Sequence, residues 1–213
     1  MRKAWILIVF LFSAMAARAE GVTIAALGDS LTQGYGLVQE EGFVPQLQRW
    51  LDGQGVQVTL INAGVSGDTT AGGAARVGWT LTPDVDAMIV TLGGNDLLRG
   101  IDPAVSRANL EAILKTAAEQ DIDVLLVGMQ APGNYGADYK ASFDAIYPDL
   151  SEVYGTLYLE SFFAGFGEAA SNPALLGDVM QSDGIHPNAK GVAQIVEAMG
   201  PKVLELIARA SEG

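Results

Sequence analysis

Val22-Thr23-Ile24-Ala25-Ala26-Leu27-Gly28-Asp29-Ser30-Leu31-Thr32 is the stretch from which the rest of the chain is read. Residues 22–27 form a short apolar, partly β-branched run, the pattern of a buried strand. The run stops at Gly28, and Gly34, Tyr35 and Gly36 follow the serine. A buried strand running into a glycine-flanked serine describes a tight turn at the carboxyl edge of a sheet. That edge is where open α/β sheets bind ligands. Ser30 can there present its hydroxyl while its own N–H points at a reacting carbonyl. Taken alone the tripeptide is a weak signal. Ser30 also suits the cap of a following helix, and Thr32 in place of glycine separates it from the Gly-x-Ser-x-Gly elbow.

Further strands are expected at residues 56–62, 87–92, 124–128 and 156–159. Helical spacing covers residues 42–51 and 69–81. Residues 103–120 form an amphipathic helix with Pro103 at its start. Residues 137–154 read as a helix kinked or broken at Pro148, and 188–210 as a final helix with a potential interruption at Gly200-Pro201. Strands separated by helices imply a parallel sheet covered on both faces, hence an α/β fold. No repeat, low-complexity tract or linker divides residues 20–213, which are expected to form a single domain.

Three later segments carry chemistry. The strand at 56–62 runs into Ala63-Gly64-Val65-Ser66-Gly67, and a glycine N–H at 67 can approach a bound oxyanion closely. The strand at 87–92 runs into Gly93-Gly94-Asn95-Asp96, where the Asn95 amide is a neutral donor. Glycine-rich strand ends are also ordinary turns, and Asn and Asp ordinary helix caps. The third segment, Ser182-Asp183-Gly184-Ile185-His186-Pro187-Asn188, holds the only histidine of the chain. Imidazole is the side chain suited to move protons both ways near neutrality, so an imidazole base here must be His186. Asp183 is close enough along the chain to turn back, bond the ring and fix its tautomer.

The order Gly-Asp-Ser, Gly, Gly-x-Asn-Asp, Asp-x-x-His resembles the SGNH, or GDSL-type, hydrolase superfamily. The resemblance extends through residues 26–32, 62–73, 92–100, Asn134-Tyr135-Gly136 with Tyr139, and 183–188. It is nearest to the bacterial arylesterase, acyl-CoA thioesterase and lysophospholipase subgroup. Met129-Gln130-Ala131-Pro132-Gly133 departs from the family in lacking a second proline, a difference expected at the pocket wall. The resemblance implies a three-layer α/β/α sandwich, flavodoxin-like, with a five-stranded parallel sheet in the order 2-1-3-4-5. It implies Ser30 as nucleophile, His186 as base and Asp183 as its orienting carboxylate. The oxyanion donors would be the Ser30 N–H, the Gly67 N–H and the Asn95 amide. Substrates would be short-to-medium acyl or aryl esters, with acyl-CoA thioesters and lysophospholipids also in range. Two alternatives are a carbohydrate O-acetylesterase on the same fold and a non-catalytic flavodoxin-like binding module. Asp29, Asp68 and Asp96 are read as loop-fixing residues that bond backbone N–H groups. Leu97, Leu98, Ile101 and Ile185 are candidates for an acyl groove. Residues 97–102 are expected to form a mobile lid hinged at Gly100.

Composition bounds this reading. The chain has 213 residues, 49% hydrophobic, enough for one domain with a substantial core. Arg2-Lys3, an apolar run and the small residues around Ala17 and Ala19 predict a signal peptide over 1–19, cleaved after Ala19. A periplasmic or secreted protein follows, with no stable membrane anchor after cleavage. Loss of Arg2, Lys3 and Arg18 would take the net charge from −13 to −16. So acidic a surface argues against nucleic acid as a partner. The absence of cysteine excludes disulfides, a catalytic thiol and thiolate metal sites. With one histidine, no metal is expected. No cofactor is expected either, and the protein is expected to be a monomer acting on a small ester or thioester.

Overall fold

A computed structural model of the protein describes residues 21–170 and 172–212. The expected signal peptide lies outside the described residues. Strand β1 spans Val22–Gly28 and is followed by a short helix α1 (Ser30–Gln33) and by α2 (Phe43–Gly53). Then come β2 (Val58–Gly64), α3 (Thr70–Thr80), β3 (Ala87–Thr91), the short α4 (Gly94–Leu98) and α5 (Pro103–Ala118). Strand β4 (Asp123–Val127) leads to α6 (Ala137–Asp144), α7 (Ile146–Tyr154) and β5 (Leu157–Leu159). A kinked 3₁₀ segment (Ala164–Ala170), α8 (Pro173–Leu176) and the long α9 (Ala189–Ala210) complete the chain.

The strands form one parallel sheet in the order β2-β1-β3-β4-β5, as the resemblance implies. Helices α2 and α9 pack together in one layer, and α3 and α5 in the other, joined there by α7. The inner strands β1, β3 and β4 are buried along nearly their whole length. This explains why they are continuous apolar runs, because a strand covered on both faces has no wet side to mark. Edge strand β2 is only partly buried and carries Thr59 and Asn62 outward. Its free edge is partly capped by Gln48, which donates to the Val58 carbonyl and accepts from the Leu60 N–H. A capped edge offers fewer groups for pairing with another chain.

The register sets the site. Gly28 of β1 lies opposite Gly64 of β2 and Thr91 of β3, so three strands end at one level. Ser30, Gly67 and Asn95 follow within two to four residues of those ends.

Two helix boundaries differ from the sequence expectation. The break expected at Pro148 falls at Ala145, between α6 and α7. Pro148 sits in the first turn of α7, where its missing N–H costs nothing, and the carbonyl it cannot serve is that of Asp144, the last residue of α6. Helix α9, by contrast, runs unbroken through Pro201. Val196, Met199 and Val203 are buried around that point. Trp50 packs against Gly200, and its indole N–H donates to Glu197 at 2.8 Å. Tertiary packing thus offsets a proline cost of about 3 kcal/mol.

Candidate active site

Ser30 is the first residue of α1 at the mouth of the sheet. Its Oγ is 2.8 Å from His186 Nε2, although 156 residues separate them. His186 Nδ1 is 2.7 Å from Asp183 Oδ2. The other carboxylate oxygen, Oδ1, accepts the Ile185 N–H at 2.9 Å and the His186 N–H at 3.0 Å. The His186 backbone and ring donors, then the Ile185 N–H, hold the Asp183 carboxyl down at about 2. It is therefore an anion near neutral pH, and it fixes the proton of a neutral ring on Nδ1. Nε2 is then free to accept from the serine hydroxyl.

The loop carrying this pair is fastened from behind. Gln181 N–H donates to the His186 carbonyl at 2.8 Å, and the Gln181 amide donates to the carbonyls of Tyr35 and Pro187. Asn188 caps α9 through the Gly191 N–H and donates to the carbonyls of Asp178 and Met180. Tyr35 lies against the His186 ring, with centroids 4.6 Å apart. The sequence reading missed Tyr35 and Gln181, since neither belongs to a spaced motif.

Ser30 itself, Gly67 and Asn95 carry the candidate donors. The Ser30 N–H belongs to the first turn of α1, where N–H groups lack a partner within the helix. Gly67 has φ +85°, and its N–H makes no hydrogen bond within the described residues. Its carbonyl accepts from Arg99 Nη2 at 2.8 Å. Asn95 Nδ2 donates one hydrogen to Asp29 Oδ2 at 3.1 Å, which leaves its second hydrogen for another acceptor.

Of the three motif aspartates, Asp29 and Asp96 accept backbone N–H groups as expected, with side-chain donors besides, whereas Asp68, among the described residues, is held by a guanidinium alone. Asp29 accepts from the Leu31 N–H and from Asn95. Asp96 accepts from the Thr70 N–H and from the hydroxyls of Thr70 and Ser106, pinning α3 and α5 to α4. Asp68 pairs with Arg76 at 2.7 Å, and Arg76 in turn donates to the carbonyls of Ala63 and Gly28. One guanidinium thus ties the ends of β1 and β2 together.

A cavity of about 930 Å³ opens beside Ser30. Leu97, Leu98 and Ile185 line it, as the sequence suggested, whereas Ile101 lies outside the lining. Met129, Gln130 and Pro132 also line it, so the segment that departs from the family does form part of the wall. There the Ala131 N–H donates to Asp144 at 2.7 Å, a bond no proline can make. Phe163, Phe166, Leu176 and Met180 form a wall that the sequence reading did not find. The signal available was the aromatic cluster Phe162, Phe163 and Phe166, a group too short to mark a regular element.

Residues 97–102, the expected lid, are tied to their neighbours by several hydrogen bonds. Leu97 is buried within α4, and Leu98 is exposed. The N–H groups of Arg99, Gly100 and Ile101 donate back into α4, and Tyr139 donates to the Ile101 carbonyl at 2.9 Å. Among the described residues no group of three or more His, Asp or Glu side chains is placed to hold a metal ion.

A five-stranded parallel sheet with a serine, a histidine and an aspartate in hydrogen-bond contact at its carboxyl edge is the arrangement of a serine ester hydrolase of the SGNH type. The comparison with known proteins gives the family directly. The GDSL-like lipase/acylhydrolase family model matches residues 26–194, and the chain belongs to that family. Esterase TesA of Pseudomonas aeruginosa is 35% identical over 191 residues, which cover 89% of this chain and 92% of that protein. Thioesterase 1/protease 1/lysophospholipase L1 of Escherichia coli is 33% identical over 187 residues, covering 87% and 85%. Among solved structures, AlinE4, an SGNH-hydrolase family esterase, is 43% identical with a TM-score of 0.71, covering 87% of this chain and 96% of its own.

Proposed function

We propose that the chain hydrolyses short-to-medium acyl or aryl esters through an acyl-enzyme on Ser30. The observation that carries this is the continuous contact from Asp183 through His186 to the Ser30 hydroxyl, 2.7 and 2.8 Å, beside the cavity. Ser30 Oγ attacks the ester carbonyl while His186 Nε2 takes the hydroxyl proton. Charge moves onto the carbonyl oxygen, which the Ser30 N–H, the Gly67 N–H and the Asn95 amide would stabilise. Each well-placed donor contributes about 3–4 kcal/mol in the transition state. The imidazolium gives its proton to the departing alcohol or thiol as the C–O or C–S bond breaks. His186 then deprotonates a water that attacks the acyl-enzyme, and the acid leaves as Ser30 regains its proton.

The apolar cavity wall supports an acyl or aryl group in preference to a sugar. The alternatives of a carbohydrate O-acetylesterase and of a non-catalytic module are not favoured. The names of the relatives support thioesters and lysophospholipids as further substrates. In keeping with the basic and apolar N-terminus and the acidic surface, the proposal includes export to the periplasm or medium. It also includes action as a monomer on small molecules, without nucleic acid or a membrane anchor. No helix among the described residues is long and apolar enough to cross a membrane. The test is a chain-length series of p-nitrophenyl esters and acyl-CoA thioesters on the purified mature protein. Turnover of acetyl through octanoyl esters is expected. Activity confined to acetylated sugars would contradict the proposal.

A further inference from the structure

Asp29 is a buried acid one residue before the nucleophile, and a serine relay does not need it. It is 1% exposed. Its Oδ1 accepts the Leu31 N–H at 3.0 Å, which makes it the N-cap of α1. Capping alone does not account for an acid here, because neutral Ser or Asn caps a helix as well and carries no buried charge. The second oxygen supplies the reason. Oδ2 receives the Asn95 side-chain amide at 3.1 Å, across 66 residues of sequence. No other group among the described residues bonds to that amide. Helix α4 approaches closely here: a Cβ on Gly94 would stand 3.3 Å from Asp29 Oδ2, tighter than an ordinary contact.

A primary amide can turn over end for end with little change of shape. In one orientation Nδ2 faces the reacting carbonyl and donates; in the other Oδ1 faces it and repels the developing oxyanion. An ionised carboxylate only accepts, so Asp29 can bond Asn95 in the first orientation alone. We propose that Asp29 is a positioning residue whose carboxylate locks the Asn95 amide with its N–H toward the oxyanion. The inference rests on the reading of Asn95 as an oxyanion donor. It accounts for a carboxylate kept in a site where burial raises its pKa to about 6.

The isosteric variant reverses the lock. In Asp29→Asn, one oxygen must still accept from Leu31, which leaves an NH₂ facing Asn95. The Asn95 amide then turns to offer Oδ1, and the oxyanion meets an acceptor. In Asp29→Ser the cap is kept, but the side chain is too short to direct Asn95 either way. The experiment measures kcat and KM for p-nitrophenyl acetate in Asp29→Asn, Asp29→Ser, Asn95→Ala and the double variant Asp29→Asn/Asn95→Ala, with circular dichroism to check folding. Asn95→Ala is expected to lower kcat by about 10²–10³-fold with KM little changed. Asp29→Asn should match that loss, although it is the more conservative change, and Asp29→Ser should lose less. The double variant should be no slower than Asn95→Ala. Losses that multiply in the double variant, or a loss in Asp29→Ser as large as that in Asp29→Asn, would show that Asp29 acts by charge or by structure and overturn the inference. Should Asp29→Asn fail to fold, Asp29→Ser in the Asn95→Ala background carries the same test of non-additivity. An unchanged kcat in Asn95→Ala would instead remove the oxyanion reading itself.

Discussion

Asp29 adjoins Ser30 in the chain and Asp183 reaches it through His186, and the fold treats the two carboxyls in opposite ways. Asp183 has its side chain 36% exposed and is held by two backbone N–H groups and an imidazole, which keep it at about 2. Asp29 is sealed beneath α1 and α4, and burial pushes it up to about 6 despite two hydrogen bonds. The same side chain thus serves as a permanent anion where charge must pair with an imidazolium. In the other place it is a costly anion whose use lies in what it can accept. Donors in a half-wet loop set the first value, and desolvation sets the second.

The largest effect that tests this contrast is expected at Asp183. Asp183→Asn keeps the shape but can present an amide donor to Nδ1, which favours the wrong tautomer of His186. A loss of about 10⁴-fold in kcat is expected. Ser30→Ala and His186→Ala should lose at least as much, and their double variant should be little slower than either single, because the three act as one unit. Steady-state hydrolysis of p-nitrophenyl acetate checks this, and losses that multiply would dissolve the unit. Against it, the loss at Asp29 is expected to be smaller by one to two decades, because Asp29 acts only through Asn95.

The smallest effect is on stability, and its sign differs between the two sites. A carboxyl raised in the folded state binds its proton more tightly there than in the unfolded chain. Asp29 therefore contributes stability below 3.8 that is lost as pH rises through about 6. At about 1.4 kcal/mol for each pH unit, the loss approaches about 3 kcal/mol at neutrality. Relative to the wild type, Asp29→Asn should accordingly gain stability between pH 4 and pH 7. Asp183 works the other way: its contribution is present above 3.8 and is lost as pH falls toward about 2. Asp183→Asn should therefore show its deficit at neutral pH, and the deficit should shrink in acid. Urea unfolding at several pH values measures both, and parallel pH dependences for the two variants would contradict the contrast.

Much of this arrangement was legible in the sequence. The runs at Val22, Ala87 and Val124 announced inner strands because a strand covered on both faces is apolar throughout. The lone His186 and its nearby Asp183 were singled out by the sequence, and the two side chains are in contact with each other and with Ser30. The rest was hidden for physical reasons. The Asp29–Asn95 bond joins two loops 66 residues apart and leaves no periodic trace. The 3₁₀ segment Ala164–Ala170 and the one-turn helix α8 help build one cavity wall with Phe163, Phe166 and Leu176, and elements so short have no amphipathic repeat to detect. Pro201 signalled an interruption that the packing of α9 overrides. The Tyr139 bond to the Ile101 carbonyl, which ties residues 97–102 to α6, has no sequence signal either.

The central claim is that His186 activates Ser30 as a nucleophile. The most direct test is to incubate the protein with a p-nitrophenyl alkylphosphonate, follow p-nitrophenol release, and locate the adduct by intact-mass and peptide mass spectrometry. One adduct for each chain is expected, on Ser30, with an equimolar burst of p-nitrophenol, strong slowing in His186→Ala and no adduct in Ser30→Ala. An adduct on another residue, or continued ester hydrolysis by a fully phosphonylated protein, would contradict the account.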